Sequence, residues 1–447
     1  MTDILKIIMV SFLLFLPGFA SGQESWSLTK CINYALEHNL SQQVYELSEQ
    51  AATIDANQSK FNLLPSLSAS SSAGLSFGRS VDPNTNDIVN NEFFNNSNRL
   101  GASLAVFQGF IQQNRIAYSK FRLEAAKWEK VNHQDDLAFS ILMTYYDVIY
   151  YQGMVSIARE QLCLSENNLK KAEVLIETGL KAKTDLAEMQ ATYEKEKLNL
   201  LQAENRLEEM KLKLAQGMNL PGESFKQVRF ECGEPAVGAN PAVVADSLYA
   251  SFVKHSPVIK SAEAVLQASA KEVAISRGQF FPSIHLNASI NTGYYETNRD
   301  ADGRTISFRD QLNNNRSQYV GASISIPIFA RNQVRSQFRK ARLAEDQART
   351  QLENYRQTVY YELLNNCREM QALFREYIQT GKQVDADELA YQVAHRKYEE
   401  GLIDVIELQA VKNRLAGSES QRLQARLQWE IKLKVVDFYK GIRFWEQ

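Results

Sequence analysis

The chain has 447 residues, of which 23% are charged and 44% apolar, and its formal net charge is −2. This is globular composition with ample length for a large core. Near-neutral charge and the lack of any Lys/Arg-rich block argue against a nucleic-acid partner.

Lys6 precedes the apolar run "IIMVSFLLFL", then Pro17, Gly18 and the small residues Ala20 and Gly22. That order predicts a secretory signal peptide over 1–22, with an apolar run too short to span a bilayer. A buried N-terminal helix is the alternative reading. No cysteine directly follows the run, so a lipid anchor is not indicated. No later stretch reaches ~18 apolar residues, so no transmembrane helix is expected.

A helix is expected over 28–62, with Ile32, Ala35, Leu36 and Leu40 at helical spacing and Pro65 as its stop. A β-hairpin follows over 66–108. Leu67, Ala69, Ala73, Leu75 and Phe77 alternate with Ser66, Ser68, Ser70, Ser72, Gly74 and Ser76. Leu100, Ala102, Leu104 and Val106 alternate with Arg99, Gly101, Ser103 and Ala105, beyond a polar loop over 80–98. A long helix over 109–178, a tip turn over 178–185 and a helix over 186–216 complete the first half. This interval contains no proline after Pro83 and is rich in helix formers. Leu198, Leu201, Leu207 and Leu212 have heptad-like spacing with charges between them.

A linker over 218–246 carries Pro221, Pro235 and Pro241. The same order of elements then returns: a helix over 247–278, Pro282, a hairpin over 283–329, a long helix, a tip turn over 400–407, a last helix to about 440 and a tail over 441–447. In the hairpin Ile284, Leu286, Ala288, Ile290 and Tyr294 oppose Ser283, His285, Asn287, Ser289, Asn291 and Gly293. Val320, Ala322, Ile324, Ile326 and Ile328 oppose Gly321, Ser323 and Ser325. The recurrence is also textual. "LEHNL" (36–40) matches "VKHSP" (253–257), and "LLPSLSAS" (63–70) matches "FFPSIHLN" (280–287). "GASLAV" (101–106) matches "GASISI" (321–326), and "ETGLKAKTDL" (177–186) matches "EEGLIDVIEL" (399–408). A constant offset of ~220 residues through all four pairs indicates duplication, with repeats over 23–217 and 247–440.

Each strand is about ten residues, enough to cross a bilayer core when tilted, and its polar positions are mostly small. A soluble sheet packed on helices predicts the same alternation. The membrane reading is favoured by the two separate hairpins, their long Asn- and Asp-rich loops, and aromatics such as Phe77, Tyr294, Tyr295 and Tyr319 toward the loop ends. Four strands cannot close a barrel, and open edges are not tolerated in lipid, so several chains must pool their strands.

With "FQGF…NRI" (107–116), "SIPIFARNQV" (325–334), "TGLKAKTDLAEMQA" and "YEEGLIDVIELQA" in this order, the chain resembles the TolC-like outer membrane factor family across nearly its whole length. The resemblance implies a mostly α protein with membrane β. Long coiled-coil hairpins would form a periplasmic tunnel, and four strands per chain would join a trimeric twelve-stranded outer-membrane barrel. It implies three kinds of partner: further copies of itself as a homotrimer, a periplasmic adaptor, and an inner-membrane pump of RND, ABC or MFS type. The implied role is an exit duct of an efflux or type I secretion system for small toxic compounds, metals or proteins. The alternative is a structural coiled-coil envelope protein without a channel.

The family closes its periplasmic tip with polar contacts and an acidic constriction. The resemblance places these at Thr184 and Asp185 in the first turn and Asp404 and Glu407 in the second. Carboxylates near a narrow axis favour cations, whereas Asp185 and Glu407 also suit a helix N-terminus without any pore. Leu402 and Ile403 stand where the family carries an arginine, which weakens the case for a salt-bridged lock, and Lys181 and Lys183 are candidate substitutes. Gly179, Leu180, Lys181, Gly401 and Leu402 are candidates for the adaptor-contacting tip.

The five histidines form no close pair or HExxH, and no GxSxG or P-loop occurs, so neither an enzyme nor a cofactor is expected. Cys31, Cys163, Cys232 and Cys367 lack metal-ligand spacing, and a Cys31–Cys232 disulfide or buried free thiols are both open.

Overall fold

The structure, a computed structural model, describes residues 25–81, 86–90, 92–177, 183–222, 229–230 and 245–446. The expected leader, most of the expected linker and residues 178–182 of the first tip turn, with Gly179, Leu180 and Lys181, lie outside them, as does Cys232. In chain order the elements begin with β1 (Ser25–Trp26), α1 (Leu28–His38), α2 (Leu40–Phe61), β2 (Ser66–Ser76), β3 (Arg79–Val81) and β4 (Ile88–Asn90). Then come β5 (Phe93–Gln108), α3 (Ile111–Glu177), α4 (Lys183–Met218), β6 (Arg229–Phe230), α5 (Ala245–Phe252) and α6 (Pro257–Gly278). The chain continues with β7 (Ser283–Tyr295), α7 (Phe308–Asn314), β8 (Ser317–Ser325), α8 (Gln333–Glu399) and α9 (Val405–Tyr439). It divides into two compact units: residues 1–44, 132–255 and 358–447, and residues 45–131 and 256–357.

The second unit holds one antiparallel sheet in the order β2-β5-β7-β8, so the two hairpins join through β5 and β7. Register makes the faces explicit. Leu67, Ala102, Ala288 and Val320 form one row, and Ser68, Gly101, Ser289 and Tyr319 form the next row on the opposite face. The apolar face is open: Leu67 is 73%, Val320 83% and Ile324 65% exposed. Among the described residues β2 and β8 each have one neighbouring strand, which leaves both outer edges unpaired.

At the foot of the sheet β5 carries a bulge between Ala105 and Phe107, then turns into α3 through Gly109 (φ 60°) and Phe110 (φ 64°). The equivalent corner of the second repeat uses Arg331 (φ 49°) and Asn332 (φ 63°). The recurring "FQGF" and "IFARNQV" segments are therefore left-handed strand-to-helix corners. Gly109 packs against Gly278, and an added Cβ would collide with the Gly278 carbonyl oxygen and stand 2.8 Å from Phe281 Cβ. Gly109→Ala is expected to cost several kcal/mol, combining overpacking with left-handed backbone strain. Loss of detergent-stable assembly on a gel would register it, and unchanged assembly would refute the close-approach argument.

The long polar loop of the second hairpin is partly ordered as α7, capped by Ser307, whose hydroxyl oxygen accepts from Asp310 N at 3.2 Å. Gln311 is 1% exposed and treats the end of β7 as a strand partner. Its amide accepts from Tyr295 N at 3.0 Å and donates to Tyr295 O at 3.0 Å. In the same unit α6 buries the small apolar face Ile259, Ala262, Ala264, Ala268 and Ile275. The helices are cross-tied by Ser119 donating to Ser59 Oγ at 2.8 Å and by the Arg356–Glu263 ion pair at 3.1 Å.

Among its described residues, the regular elements of the first unit are helices and the short parallel pair β1–β6. Its main core gathers Trp26, Ile32, Ile141, Leu142, Leu214 and Met218 with Phe444 and Trp445 of the C-terminal tail. A second core packs Leu248, Leu363, Met370, Trp429 and Val436.

Two expectations change. The helix expected as continuous over 28–62 breaks at Asn39, which is extended (φ −71°, ψ 126°). Asn39 Oδ1 accepts from Ser41 N at 2.8 Å, and its Nδ2 donates to Gly217 O at 2.8 Å. This local bonding competes with helix continuation. The second repeat breaks at the matching place, Ser256, where Pro257 opens α6. In α4, Leu198, Leu201 and Leu212 stay about half exposed, while the buried positions are Met189, Glu196, Leu214, Ala215 and Met218. The helix carries apolar residues on two faces, and the chain buries only one of them. Cys31, Cys163 and Cys367 are free thiols. Burial pushes Cys31 up to about 12, which leaves it unreactive at neutral pH.

Candidate functional site: the helical-hairpin tips

The second tip turn is built from backbone chemistry. Leu402 N donates to Lys397 O at 2.8 Å and Gly401 N to Tyr398 O at 3.0 Å, the two bonds of a Schellman cap. Gly401 has φ 74°, the left-handed value that the cap demands at this position. Three residues on, Asp404 is the N-cap of α9, and its Oδ1 accepts from Glu407 N at 2.8 Å. Glu407 then lies in the first turn of α9, as Asp185 lies in the first turn of α4, where a carboxylate meets the positive end of the helix dipole. Thr184, Lys183 and Glu407 are exposed, and Asp185 is half-buried. Between the caps, Leu402 (66%) and Ile406 (64%) stand exposed.

Above the turn a small core closes the hairpins together: Ala172, Met189, Ala394, Tyr398, Val405 and Leu408. Burial, and then the neighbouring Asp185 carboxylate, push the Tyr398 phenol above its ordinary range. The structure therefore brings the expected Asp185 to an aromatic residue that sequence reasoning did not single out. The described residues also hold a cross-hairpin ion pair that the sequence did not single out; of the expected cations, Lys181 lies outside the described residues. Lys171 Nζ meets Glu399 Oε1 at 2.6 Å, linking α3 to α8, and Lys183 forms no ion pair among the described residues. The hydrogen bond from Lys171 is the main reason why Glu399 titrates below the usual carboxylate range.

One further layer up lies a buried charge. Lys412 of α9 is fully enclosed, and its ammonium donates to Gln161 O at 3.1 Å, Ser165 Oγ at 2.6 Å and Glu196 Oε1 at 3.2 Å. All three of its donors are used, joining α9 to α3 and α4. Burial pushes Lys412 below the ordinary lysine range, and Glu196 opposes that shift. A signal for this node exists in the sequence. Lys412 occupies a seam position of the series Val405, Leu408, Leu415, and Glu196 lies one heptad after Met189. Close by, Arg414 Nε donates to Asp387 Oδ1 at 2.8 Å. Among the described residues no group of His, Cys, Asp or Glu could hold a metal ion, and no helix is long and apolar enough to cross a membrane.

A sheet with an open apolar face and, among the described residues, two free edges, in one chain with paired helical hairpins, defines the class of subunits that pool their strands with other copies in a membrane barrel. The family profile "Outer membrane efflux protein" matches residues 31–219 and 248–438, one stretch per repeat. The chain belongs to the outer membrane efflux protein family, whose place is the outer membrane. Among curated relatives it is similar to the pyoverdine export outer membrane protein OpmQ of Pseudomonas aeruginosa, 23% identical over 68% of this chain and 61% of the relative. It is also similar to the toluene efflux pump outer membrane protein TtgF of Pseudomonas putida, 24% identical over 62% of this chain and 54% of the relative. The chain thus matches about half to three-fifths of the length of these relatives. Among solved structures it is similar to the Campylobacter jejuni CmeC outer membrane channel, with TM-score 0.80 and 14% identity over 93% of this chain and 85% of that one. The Vibrio cholerae outer membrane protein VceC gives TM-score 0.76 and 18% identity, covering 92% of this chain and 95% of that one. These likenesses show a shared fold.

Proposed function

We propose that the chain is the outer-membrane exit duct of a tripartite efflux or type I secretion system, acting as a conduit and not as an enzyme. It passes small toxic compounds, metals or proteins received from an inner-membrane pump through a periplasmic adaptor. The observation that carries this reading is the sheet: four strands, one apolar face open to the outside and two unpaired edges. Such an object is stable in lipid only when other copies supply the missing strands. Three copies of four strands give a twelve-stranded barrel, above the eight-strand minimum. The exposed leucines of α4 supply a second surface for neighbouring copies to cover.

At the periplasmic end, Thr184, Asp185, Asp404 and Glu407 form the constriction, and Gly179, Leu180, Lys181, Gly401 and Leu402 meet the adaptor. The exposed apolar pair Leu402 and Ile406 supports a docking role for the tip. A duct fractionates with the outer membrane, needs detergent, cross-links as a trimer and conducts ions in a planar bilayer. Deleting its gene sensitises cells to toxic compounds or blocks secretion. A monomer that stays in plain buffer and conducts nothing would overturn the proposal and leave the structural envelope protein standing.

Asp404 separates its two roles in one experiment. Asp404→Asn keeps an N-cap acceptor while removing the charge; Asp404→Ala removes both and is expected to destabilise α9 by about 0.5–2 kcal/mol. If the carboxylate belongs to the constriction, both variants reduce cation selectivity equally while only the alanine lowers thermal stability. Unchanged selectivity in both would leave Asp404 as a cap alone.

A further inference from the structure

We propose that Arg99 makes the barrel section of the duct favour anions, in opposition to the acidic periplasmic tip. The inference rests on the duct reading above. Across β2, β5, β7 and β8 the only Asp, Glu, Lys or Arg is Arg99. Pairing sets it in a row with Ser70, Asn291 and, on β8, Ser317. That row belongs to the polar face. The next residue, Leu100, pairs with Ala69 and Ile290 on the apolar face. The side chain confirms the face on which it lies. A Cβ placed on Gly101 would stand 3.6 Å from Arg99 Nε and 3.8 Å from Ser68 Oγ, so the guanidinium stem lies over Gly101 on the serine side.

No carboxylate answers Arg99 among the described residues. Its neighbours on that face are short: serines along β2, Gly101 and Ser103 on β5, and Ser289 and Gly293 on β7. Longer residues of the same face, such as Tyr319 in the adjacent row, are uncharged, so Arg99 is the one permanent charge that these strands present to the space the face encloses. Lipid strongly disfavours an arginine near the midplane of an outer barrel wall, so the serine face is the one turned to water. Each copy in the assembly contributes one Arg99 at the same height. The result is a ring of fixed positive charge that raises the local concentration of anions and lowers that of cations.

Reversal potentials in a KCl gradient across a planar bilayer test this. Near 0.1 M salt, where the screening length is ~10 Å, Arg99→Ser is expected to raise the potassium-over-chloride permeability ratio about twofold, and Arg99→Glu further. At 1 M, where screening falls to ~3 Å, the differences should nearly vanish. Identical reversal potentials for parent, R99S and R99E in conducting channels would overturn the inference and leave the duct intact. A parent chain without conductance would overturn the duct reading and this inference with it. A second measurement checks the face without any current. In a Cys163→Ser background, a charged membrane-impermeant thiosulfonate should label R99C above the parent level and leave L100C unlabelled. Labelling of L100C, or none of R99C, would overturn the assignment.

Discussion

Lys412→Ala is expected to destabilise the helical unit by about 3–5 kcal/mol, because it leaves the Glu196 carboxylate enclosed without its counter-charge. The side chain is fully buried, and its three bonds reach two other helices across 216 to 251 residues of sequence. The solvent-exposed Lys171–Glu399 pair contributes little by comparison, although its distance is shorter, because water screens it. Lys412→Met should be nearly as damaging as the alanine, since it too abandons Glu196. Combining Lys412→Met with Glu196→Leu should recover most of the loss, because a matched apolar pair removes both desolvation costs. The unfolding midpoint of the detergent-purified protein, followed by far-ultraviolet circular dichroism, reports all three. A K412A midpoint equal to the parent's would show that the node contributes nothing. The same arithmetic bears on mechanism. The ion pair nearest the tip is exposed and weak, whereas the Lys412 node above it is enclosed and fully bonded, so movements of the tip turn should leave the Lys412 layer joined.

Asp135→Asn should stabilise the protein at pH 8 and do almost nothing at pH 4. Asp135 is 5% exposed beneath the C-terminal tail, with Arg443 Nη2 3.5 Å away. Burial is the main cause that pushes its carboxyl from 3.8 up to about 7; Arg443 opposes, while Asp136 and Glu446 add to the rise. Because the folded value lies above the ordinary one, the folded chain binds this proton more tightly than the unfolded chain. The group therefore favours folding at low pH, and that advantage is lost as pH rises from about 4 to about 7. Asparagine imitates the protonated acid at every pH. Its gain should be absent at low pH and grow to at most about 4 kcal/mol above neutrality. Midpoints measured from pH 4 to pH 8 in both proteins would show the lines diverging. Parallel lines would mean that Asp135 is ionised throughout, with Arg443 dominating.

Much of the fold was legible in the chain because the signals are local. Pro65 and Pro282 mark where helices must stop, and proline-free stretches announce α3 and α8. Alternation, as in Leu67 to Ser76 with Ser71 as its one lapse, marks strands with unlike faces. The repeated "TGL" and "EGL" segments flag the two tips. At the second tip the sequence pointed to Asp404 and Glu407 and to a helix N-terminus at Glu407, while the structure adds that Asp404 is the N-cap. Tyr398 and Lys171 were not legible, since each acquires its role from residues on another helix.

By itself the sequence determined the periodicities, the duplication, the turns and the edges that one chain cannot close, all consequences of steric and solvation preferences within a few residues. Tertiary structure alone decided that β5 joins β7, that Leu198 and Leu201 face outward while Glu196 faces inward, that Asn39 interrupts a helix by reaching Gly217, and that Lys412 finds Glu196. Those outcomes depend on which of several apolar or polar faces finds a partner far along the chain. Burial energy depends on the whole packing and not on the local order of residues.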